Sequence, residues 1–146
     1  MSLCCYPRRV RRLLVWLLFI QMARIACGAL GDDGDRIEDA YGVLVSRQLR
    51  DDGTVAIVYQ KDRYLYQVVF EHAVSVSEEY SRVDRADLSD KEIARFLKKN
   101  AGPKMTWNRV DVADPKQATL FERSDHLAEA MLIRGKAGLM LRVKKK

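Results

Sequence analysis

Apolar and polar residues alternate along four successive segments in the first half of the chain, with the period of two that is typical of half-buried β-strands. The four predicted strands cover residues 43–50, 54–60, 64–70 and 74–80. Three residues separate each strand from the next, and links this short bring neighbouring strands together as antiparallel hairpins. The pattern therefore predicts a four-stranded antiparallel meander.

The alternation also predicts which face of this meander lies against the core. Large apolar side chains alternate along the second, third and fourth of these strands, with Glu78 as the one interruption. The sets are Val55, Ile57 and Tyr59, then Tyr64, Tyr66, Val68 and Phe70, then Val74, Val76 and Tyr80. Successive side chains of a strand point to opposite faces, so each set shares one face. We expect these faces to pack against helices.

A short helix is predicted before the meander. Asp33 or Asp35 can cap its first turn, because a carboxylate there accepts a backbone hydrogen bond and meets the positive end of the helix dipole. Ile37 and Tyr41 follow at helical spacing, and Gly42 ends the pattern.

A second helix is predicted after the meander. Ser89 and Glu92 have the spacing of a capping box, in which each side chain accepts a hydrogen bond from the backbone N–H of the other residue. Gly102 and Pro103 are typical of the end of a helix.

Two or three further antiparallel strands are predicted after the second helix. Residues 118–123, 127–133 and 139–143 are strand candidates, and a short strand over 106–112 is an additional one. A helix, a meander, a second helix and further strands, in this order, define an α+β fold. The repeated order of helix and strands leaves a divergent internal duplication open.

The N-terminal segment has a different composition from the rest of the chain. Four arginines between residues 8 and 12 precede eight consecutive apolar residues, 13–20, and small residues follow at 26–29. These are the parts of a secretory signal peptide. We therefore predict a signal peptide over residues 1–29, cleaved after Gly28 or Ala29. The remaining residues, 30–146, would form one secreted or periplasmic domain with a short basic C-terminal tail.

Two alternatives would keep this segment at a membrane. An uncleaved anchor needs about 20 mostly apolar residues, whereas Gln21 and then Arg24 interrupt the apolar run here. Lipidation at Cys27 is the second alternative. Lipidation signals resemble a pattern with leucine three residues before the cysteine, and this chain has Arg24 at that position. Paired arginines also leave a twin-arginine export route open, with general secretion as the default.

Removal of the signal peptide changes both the charge and the cysteine content. The full chain has 26 Lys and Arg against 20 Asp and Glu, and removing the five bases that precede residue 30 leaves 21 bases against 20 acids. The domain therefore lacks the basic balance that indicates a nucleic-acid partner. Cys4, Cys5 and Cys27 lie in the same segment, so the domain has no disulfide to stabilise it.

Residue types that perform catalysis or hold metals do not cluster in the sequence. His72 and His126 fall in predicted turns without clustered carboxylates. Asp32, Asp33 and Asp35 lack the glycine and glutamate of a calcium-binding loop. The sequence also has no Gly-x-Ser-x-Gly nucleophile elbow. We therefore predict a non-enzymatic domain without catalytic, cofactor-binding or metal-binding residues.

Aromatic residues and terminal lysines are the sequence candidates for a contact surface. The aromatic group consists of Tyr59, Tyr64, Tyr66, Tyr80 and Trp107. Core packing is the prediction for this group, with a partner-binding patch as the alternative. The C-terminal lysines, residues 144–146, are predicted as a solvated tail, with contact to acidic lipid or polymer as the alternative.

Five segments together carry a family resemblance: the signal peptide, Tyr41 and Gly42 at the end of the first helix, and residues 50–54, 64–70 and 87–102. Over about residues 35–107 the chain resembles a class of small exported bacterial proteins of unknown function. Its layout is also similar to the small lipoprotein of the outer-membrane barrel-assembly machinery and to the repeat unit of secreted β-lactamase inhibitor proteins. Both are binding modules without catalytic residues, so the resemblance implies a binding role.

The sequence therefore predicts an exported, non-catalytic interaction domain whose partner is a protein or an envelope polymer. One alternative is a periplasmic enzyme inhibitor or sensor module that adds its sheet or hairpin loops to a partner. Another is a hydrolase with an unrecognised carboxylate pair, for which the nearest candidates are Glu78, Glu79 and Asp84. A deep pocket lined by carboxylates would favour the hydrolase, and an exposed apolar patch would favour binding.

Overall fold

A computed structural model describes residues 29–110 and 119–146 of the chain. Its elements follow in the order α1 (Gly34–Tyr41), β1 (Val43–Leu49), β2 (Val55–Lys61), β3 (Tyr64–Glu71), β4 (Val74–Arg82), α2 (Asp90–Ala101), β5 (Trp107–Val110), β6 (Leu120–Arg123), β7 (Ala128–Gly135) and β8 (Gly138–Lys145). Apart from Ala29, the predicted signal peptide lies outside the described residues. The same is true of residues 111, 112 and 118 of the predicted C-terminal strands.

The eight strands form one antiparallel sheet in the order β1-β2-β3-β4-β8-β7-β6-β5. The first four strands pair in chain order, and β8 returns to the middle of the sheet, where it pairs with both β4 and β7. The predicted α+β class is confirmed. The predicted number of strands is too low, because four strands rather than two or three follow α2, and the meander is one half of a larger sheet.

Both helices begin at the predicted caps. The Asp33 carboxylate accepts a hydrogen bond from the backbone N–H of Arg36 at 3.0 Å, and both bonds of the Ser89–Glu92 capping box are present. Helix α1 ends at Gly42, whose φ is +84° and where a Cβ atom would lie 2.8 Å from the carbonyl oxygen of Gln60. Only glycine fits that position. No helix within residues 29–110 or 119–146 is long and apolar enough to cross a membrane.

A β-bulge changes which side chains of β4 face the core. The pairing of β3 with β4 shifts by one residue at Val76, and an extra residue in a strand reverses the faces on which the preceding residues lie. Ser75 is therefore buried on the same face as Glu78 and Tyr80, whereas Val74 and Val76 are only partly buried. The predicted core positions Val74 and Val76 are wrong, and Ser75 takes their place before the bulge.

The core lies where α1 and α2 pack against one face of the sheet. Its apolar cluster is Ile37, Tyr41, Tyr59, Tyr64, Tyr66, Val68, Phe70, Tyr80, Leu88, Ile93, Phe96, Leu97, Ala130, Leu141 and Val143. The Tyr41 and Tyr66 rings stack with their centroids 4.3 Å apart, as do those of Tyr80 and Phe96. The prediction that the tyrosines pack in the core is confirmed, and Trp107 lies half-buried beside them.

Candidate functional site

A buried polar network lies at the centre of the core, where α1, α2 and β4 meet. Its centre is the carboxylate of Glu78, whose exposed fraction is 1%. The hydroxyls of Tyr41 and Tyr80 both donate hydrogen bonds to Oε2 of Glu78, the second at 2.5 Å. The side-chain amide of Asn100 donates in turn to the Tyr80 hydroxyl at 2.5 Å. Each member of the network therefore has a hydrogen-bond partner inside the protein.

Burial is the main influence on the ionisation of this network. Desolvation raises the pKa of Glu78, and the hydrogen bonds from Tyr41 and Tyr80 oppose that shift in part. Burial is the largest cause that raises the pKa of each of these two tyrosines well above its ordinary value. The nearby Tyr80 and then Glu78 raise the pKa of Tyr41 further, and Glu78 raises that of Tyr80. Two tyrosine hydroxyls donate to Oε2, and the Ser75 hydroxyl lies 3.5 Å from Oε1, so protein groups surround the carboxylate and the network stabilises the fold.

The network also holds the start of the described chain. The backbone N–H of Leu30 donates to Oδ1 of Asn100 at 2.9 Å, and that of Gly31 donates to Oγ of Ser75 at 2.8 Å. The Ser75 hydroxyl donates to the carbonyl oxygen of Ala29 at 3.1 Å. Residues 29–31 are therefore anchored to side chains from both β4 and α2.

The three carboxylates of the predicted hydrolase alternative do not converge on one site. Glu79 lies on the opposite face of the sheet from Glu78, where its Oε2 contacts the guanidinium of Arg142 at 2.7 Å and 2.9 Å. Asp84 is exposed beyond the end of β4 and pairs with Arg82 at 2.5 Å. Neighbouring residues of a strand point to opposite faces, which separates the first two carboxylates.

A second cluster of polar groups surrounds Glu92 at the start of α2. Tyr64 donates a hydrogen bond to Oε1 of Glu92 at 2.5 Å, and a guanidinium nitrogen of Arg63 lies 2.9 Å from the same oxygen. Burial alone would raise the pKa of Glu92, but hydrogen bonds from Ser89 and Tyr64 and the charge of Arg63 outweigh it and hold the pKa at about 2. This cluster ties α2 to β3.

The histidines lie apart from each other on the surface. His126 Nδ1 is 3.0 Å from Oε2 of Glu122, and His72 borders a cavity of about 350 Å³ beside Ile57 and Phe70. Of the three acidic residues near α1, Asp33 is the helix cap described above. Residues 29–110 and 119–146 contain no group of three His, Cys, Asp or Glu side chains that could hold a metal ion.

The three C-terminal lysines are exposed at the end of the sheet, and two of them lie within its last strand. Lys144 and Lys145 lie in β8, and the ammonium of Lys144 is 2.9 Å from Oε1 of Glu129 on the neighbouring strand. Lys146 pairs with Glu122. Two of the three lysine charges are therefore paired with carboxylates of this protein.

Strand β1 forms one edge of the sheet and is exposed along its whole length. It pairs with β2 on one side and with no other described strand, and all seven of its residues are exposed. Four of them are large and apolar: Val43 (73% exposed), Leu44 (47%), Val45 (53%) and Leu49 (72%). A bulge between Leu44 and Ser46 interrupts its pairing with β2. This strand is therefore an apolar sheet edge whose outer side pairs with no described strand.

A cavity of about 620 Å³ lies between α1 and α2. Its lining residues are Ala29, Asp32, Arg36, Arg95, Lys98, Lys99, Gly102 and Pro103. Four cations thus face a single carboxylate. Neither this cluster of cations nor the exposed edge was predicted from the sequence. The spacing of Arg95, Lys98 and Lys99 along one helical face was the available signal for the cavity.

Comparisons with known proteins concern the fold rather than a family. No protein-family model and no curated protein matches the chain. The structure is similar to that of a cysteine-rich secretory protein from Staphylococcus aureus, with a TM-score of 0.52 and 18% sequence identity. The match covers 80% of this chain and 44% of the other, so the chain spans less than half the length of that protein. At this identity the likeness concerns the fold alone, and the family resemblances of the sequence stay predictions.

Proposed function

We propose that this protein is an exported, non-catalytic interaction domain that binds a partner protein in the bacterial envelope or outside the cell. The observation that carries the proposal is the exposed edge strand β1, with its four large apolar side chains. The partner would add an extended segment of its own chain to this edge, in the manner of β-strand addition.

The edge offers both parts of such an interaction. Its outer side presents backbone N–H and C=O groups that β2 does not use, which supply hydrogen bonds to an added strand. Val43 and Leu49 expose apolar surface near the two ends of the strand. A bound partner would bury this surface and remove it from water, which favours binding.

An edge strand that does not pair with another chain usually carries charged residues or prolines, which prevent such pairing. Within its seven residues, β1 has one charged residue, Arg47, and no proline. Its protective features are therefore this single charge and the bulge at Val45. Residues 46–49 follow that bulge with regular pairing and are the part best suited to an added strand.

Two observations support export. The basic, apolar and small-residue segments that precede residue 30 have the order of a signal peptide. The protein from Staphylococcus aureus with a similar fold is described as secretory. All three cysteines of this chain precede residue 28, so a mature domain starting at Ala29 or Leu30 would fold without disulfides.

The exposed edge also suits the inhibitor or sensor alternative, in which the bound partner is an enzyme. The hydrolase alternative has less support, because Glu78 is enclosed by tyrosines and Glu79 and Asp84 are paired with arginines elsewhere. An activity assay of a captured partner, with and without this protein, separates an inhibitor from a passive binder.

Capture of partners from an envelope extract of the producing cells tests the proposal. Val43→Lys and Leu49→Lys place a charge at the edge, and Val83→Lys makes the same change at an exposed site outside β1. We expect the wild type and Val83→Lys to retain the same partner and each edge variant to bind at least about tenfold less. Equal capture by all four proteins, with unchanged melting temperatures, would reject β1 as the contact surface.

A further inference from the structure

We propose that the cavity between α1 and α2 binds an anionic ligand that carries several phosphate groups. The site is separate from β1 and does not depend on the function proposed above. Its walls contain Arg36 from α1 and Arg95, Lys98 and Lys99 from α2, with Asp32 as the only acidic residue of the lining.

The single carboxylate of the lining is already engaged. Oδ1 of Asp32 lies 3.4 Å from a guanidinium nitrogen of Arg36, and Oδ2 accepts a hydrogen bond from the backbone N–H of Ala29 at 2.9 Å. No ion pair joins Arg95 or Lys98 to a carboxylate in the described part of the chain. The cavity therefore keeps an excess of positive charge.

This excess of positive charge is confined to the cavity, since basic residues on the opposite face of the sheet are paired with acids. There the basic residues meet acids on neighbouring strands: Arg142 lies 2.7 Å from Glu79, and Lys144 lies 2.9 Å from Glu129. Lysines in the last turn of a helix also stabilise its negative end, which accounts in part for Lys98 and Lys99. That effect does not account for Arg36, which lies on the other helix.

Two of the cations are held in position by aromatic rings. The guanidinium of Arg95 lies 4.7 Å from the ring centroids of both Tyr64 and Phe96, and the ammonium of Lys99 lies 3.9 Å from the ring centroid of Tyr41. Cation–π contacts restrict these side chains before a ligand arrives, so less conformational entropy is lost on binding.

The chemistry and size of the site indicate phosphate groups. Guanidinium groups bind phosphate oxygens in a two-pronged geometry, and lysine ammonium groups add point charges. The volume of about 620 Å³ is in the range of roughly 300–1,000 Å³ that is usual for ligand pockets. It exceeds what one phosphate ion needs, which favours a phosphodiester polymer or an oligophosphate.

Titration calorimetry on the full chain tests this site, with tripolyphosphate as the probe. Arg95→Gln and Lys98→Gln each remove a cation from the lining. Lys91→Gln removes the same charge from an exposed position of the same helix outside the lining. We expect each lining variant to weaken binding by about tenfold and Lys91→Gln by less than about twofold.

Two further titrations identify the source of the phosphate groups. Binding of a glycerol-phosphate polymer at least as tight as that of tripolyphosphate supports an envelope polymer, and tighter binding of tripolyphosphate supports a soluble oligophosphate. Absence of measurable tripolyphosphate binding at millimolar concentration overturns the proposal. An equal loss in Lys91→Gln and Arg95→Gln also overturns it, because binding would then follow net charge. Failure here leaves partner capture by β1 unchanged, so the two proposals fail independently.

Discussion

The hydroxyl of Tyr41, the last residue of α1, donates a hydrogen bond to the buried carboxylate of Glu78 in β4. This contact joins a helix that precedes the sheet to a strand at its centre. The same hydroxyl lies 3.0 Å from that of Tyr80. Because Glu78 has an exposed fraction of 1%, water cannot readily replace a lost donor.

Removal of the Tyr41 hydroxyl should therefore destabilise the protein. We expect Tyr41→Phe to lower the free energy of unfolding by about 1–3 kcal/mol, the cost of leaving a buried acceptor with one donor fewer. Tyr59→Phe is the matched control, since the described residues give the Tyr59 hydroxyl no hydrogen bond. Urea denaturation of both variants measures the difference, and equal stability of the two would show that the Glu78 network contributes little.

Acid should weaken the attachment of α2 through Glu92. The pKa of Glu92 in the folded protein is about 2, below the value of about 4.3 in an unfolded chain. The unfolded state therefore binds the proton more readily, so this stabilisation is complete above about pH 4.3 and is lost as the pH falls towards 2. Glu92→Gln should be less stable than the wild type by about 1–3 kcal/mol at pH 7, and the two should converge near pH 2. Parallel pH profiles of the free energy of unfolding would contradict this assignment.

Truncation of Tyr66 should destabilise the protein more than truncation of Phe70. Tyr66 stacks on Tyr41 and meets Tyr80 and Phe96 edge to face, whereas Phe70 borders the open cavity near His72. Emptying a large aromatic site costs about 3–5 kcal/mol, and we expect Phe70→Ala near the lower end of that range. Thermal or urea denaturation measures both. Wild-type stability of both variants would instead indicate that Tyr66 and Phe70 contact a partner rather than pack in the core.

Much of the fold could be predicted from local patterns. The caps at Asp33 and Ser89 and the strand alternation are set by neighbouring residues, so the sequence alone indicates them. The pairing of β4 with β8 joins residues that are 61 to 67 positions apart in the chain, and no local pattern specifies it. A strict two-residue period does not reveal the bulge at Val76, which is why Val74 and Val76 were predicted as core residues.

The candidate sites were harder to predict, because they depend on which surfaces stay exposed after the strands and helices have packed together. Val43 and Leu49 read as ordinary strand residues in the sequence, and only the strand order places them at an edge. Likewise, Arg36 is far in sequence from Arg95, and the packing of α1 and α2 on one face brings both to a single cavity.

Maturation should leave Ala29 at the N-terminus. Its N–H donates to Asp32 and its carbonyl oxygen accepts from the Ser75 hydroxyl, so cleavage after Gly28 keeps contacts that cleavage after Ala29 would remove. Intact-mass measurement of the protein from its native envelope should show a chain that begins at Ala29, with Leu30 as the alternative start. Retention of residues 1–28 would contradict the signal-peptide prediction.

Hydrogen exchange at the two sheet edges tests the central proposal most directly. The exchange rates of backbone amides in β1 and in the opposite edge strand, β5, are compared between the free protein and its complex with the captured partner. Strand addition at β1 predicts that amides of β1, above all in residues 46–49, exchange at least about tenfold more slowly in the complex, while those of β5 are unchanged. Unchanged exchange in β1, or protection confined to β5, would contradict the account.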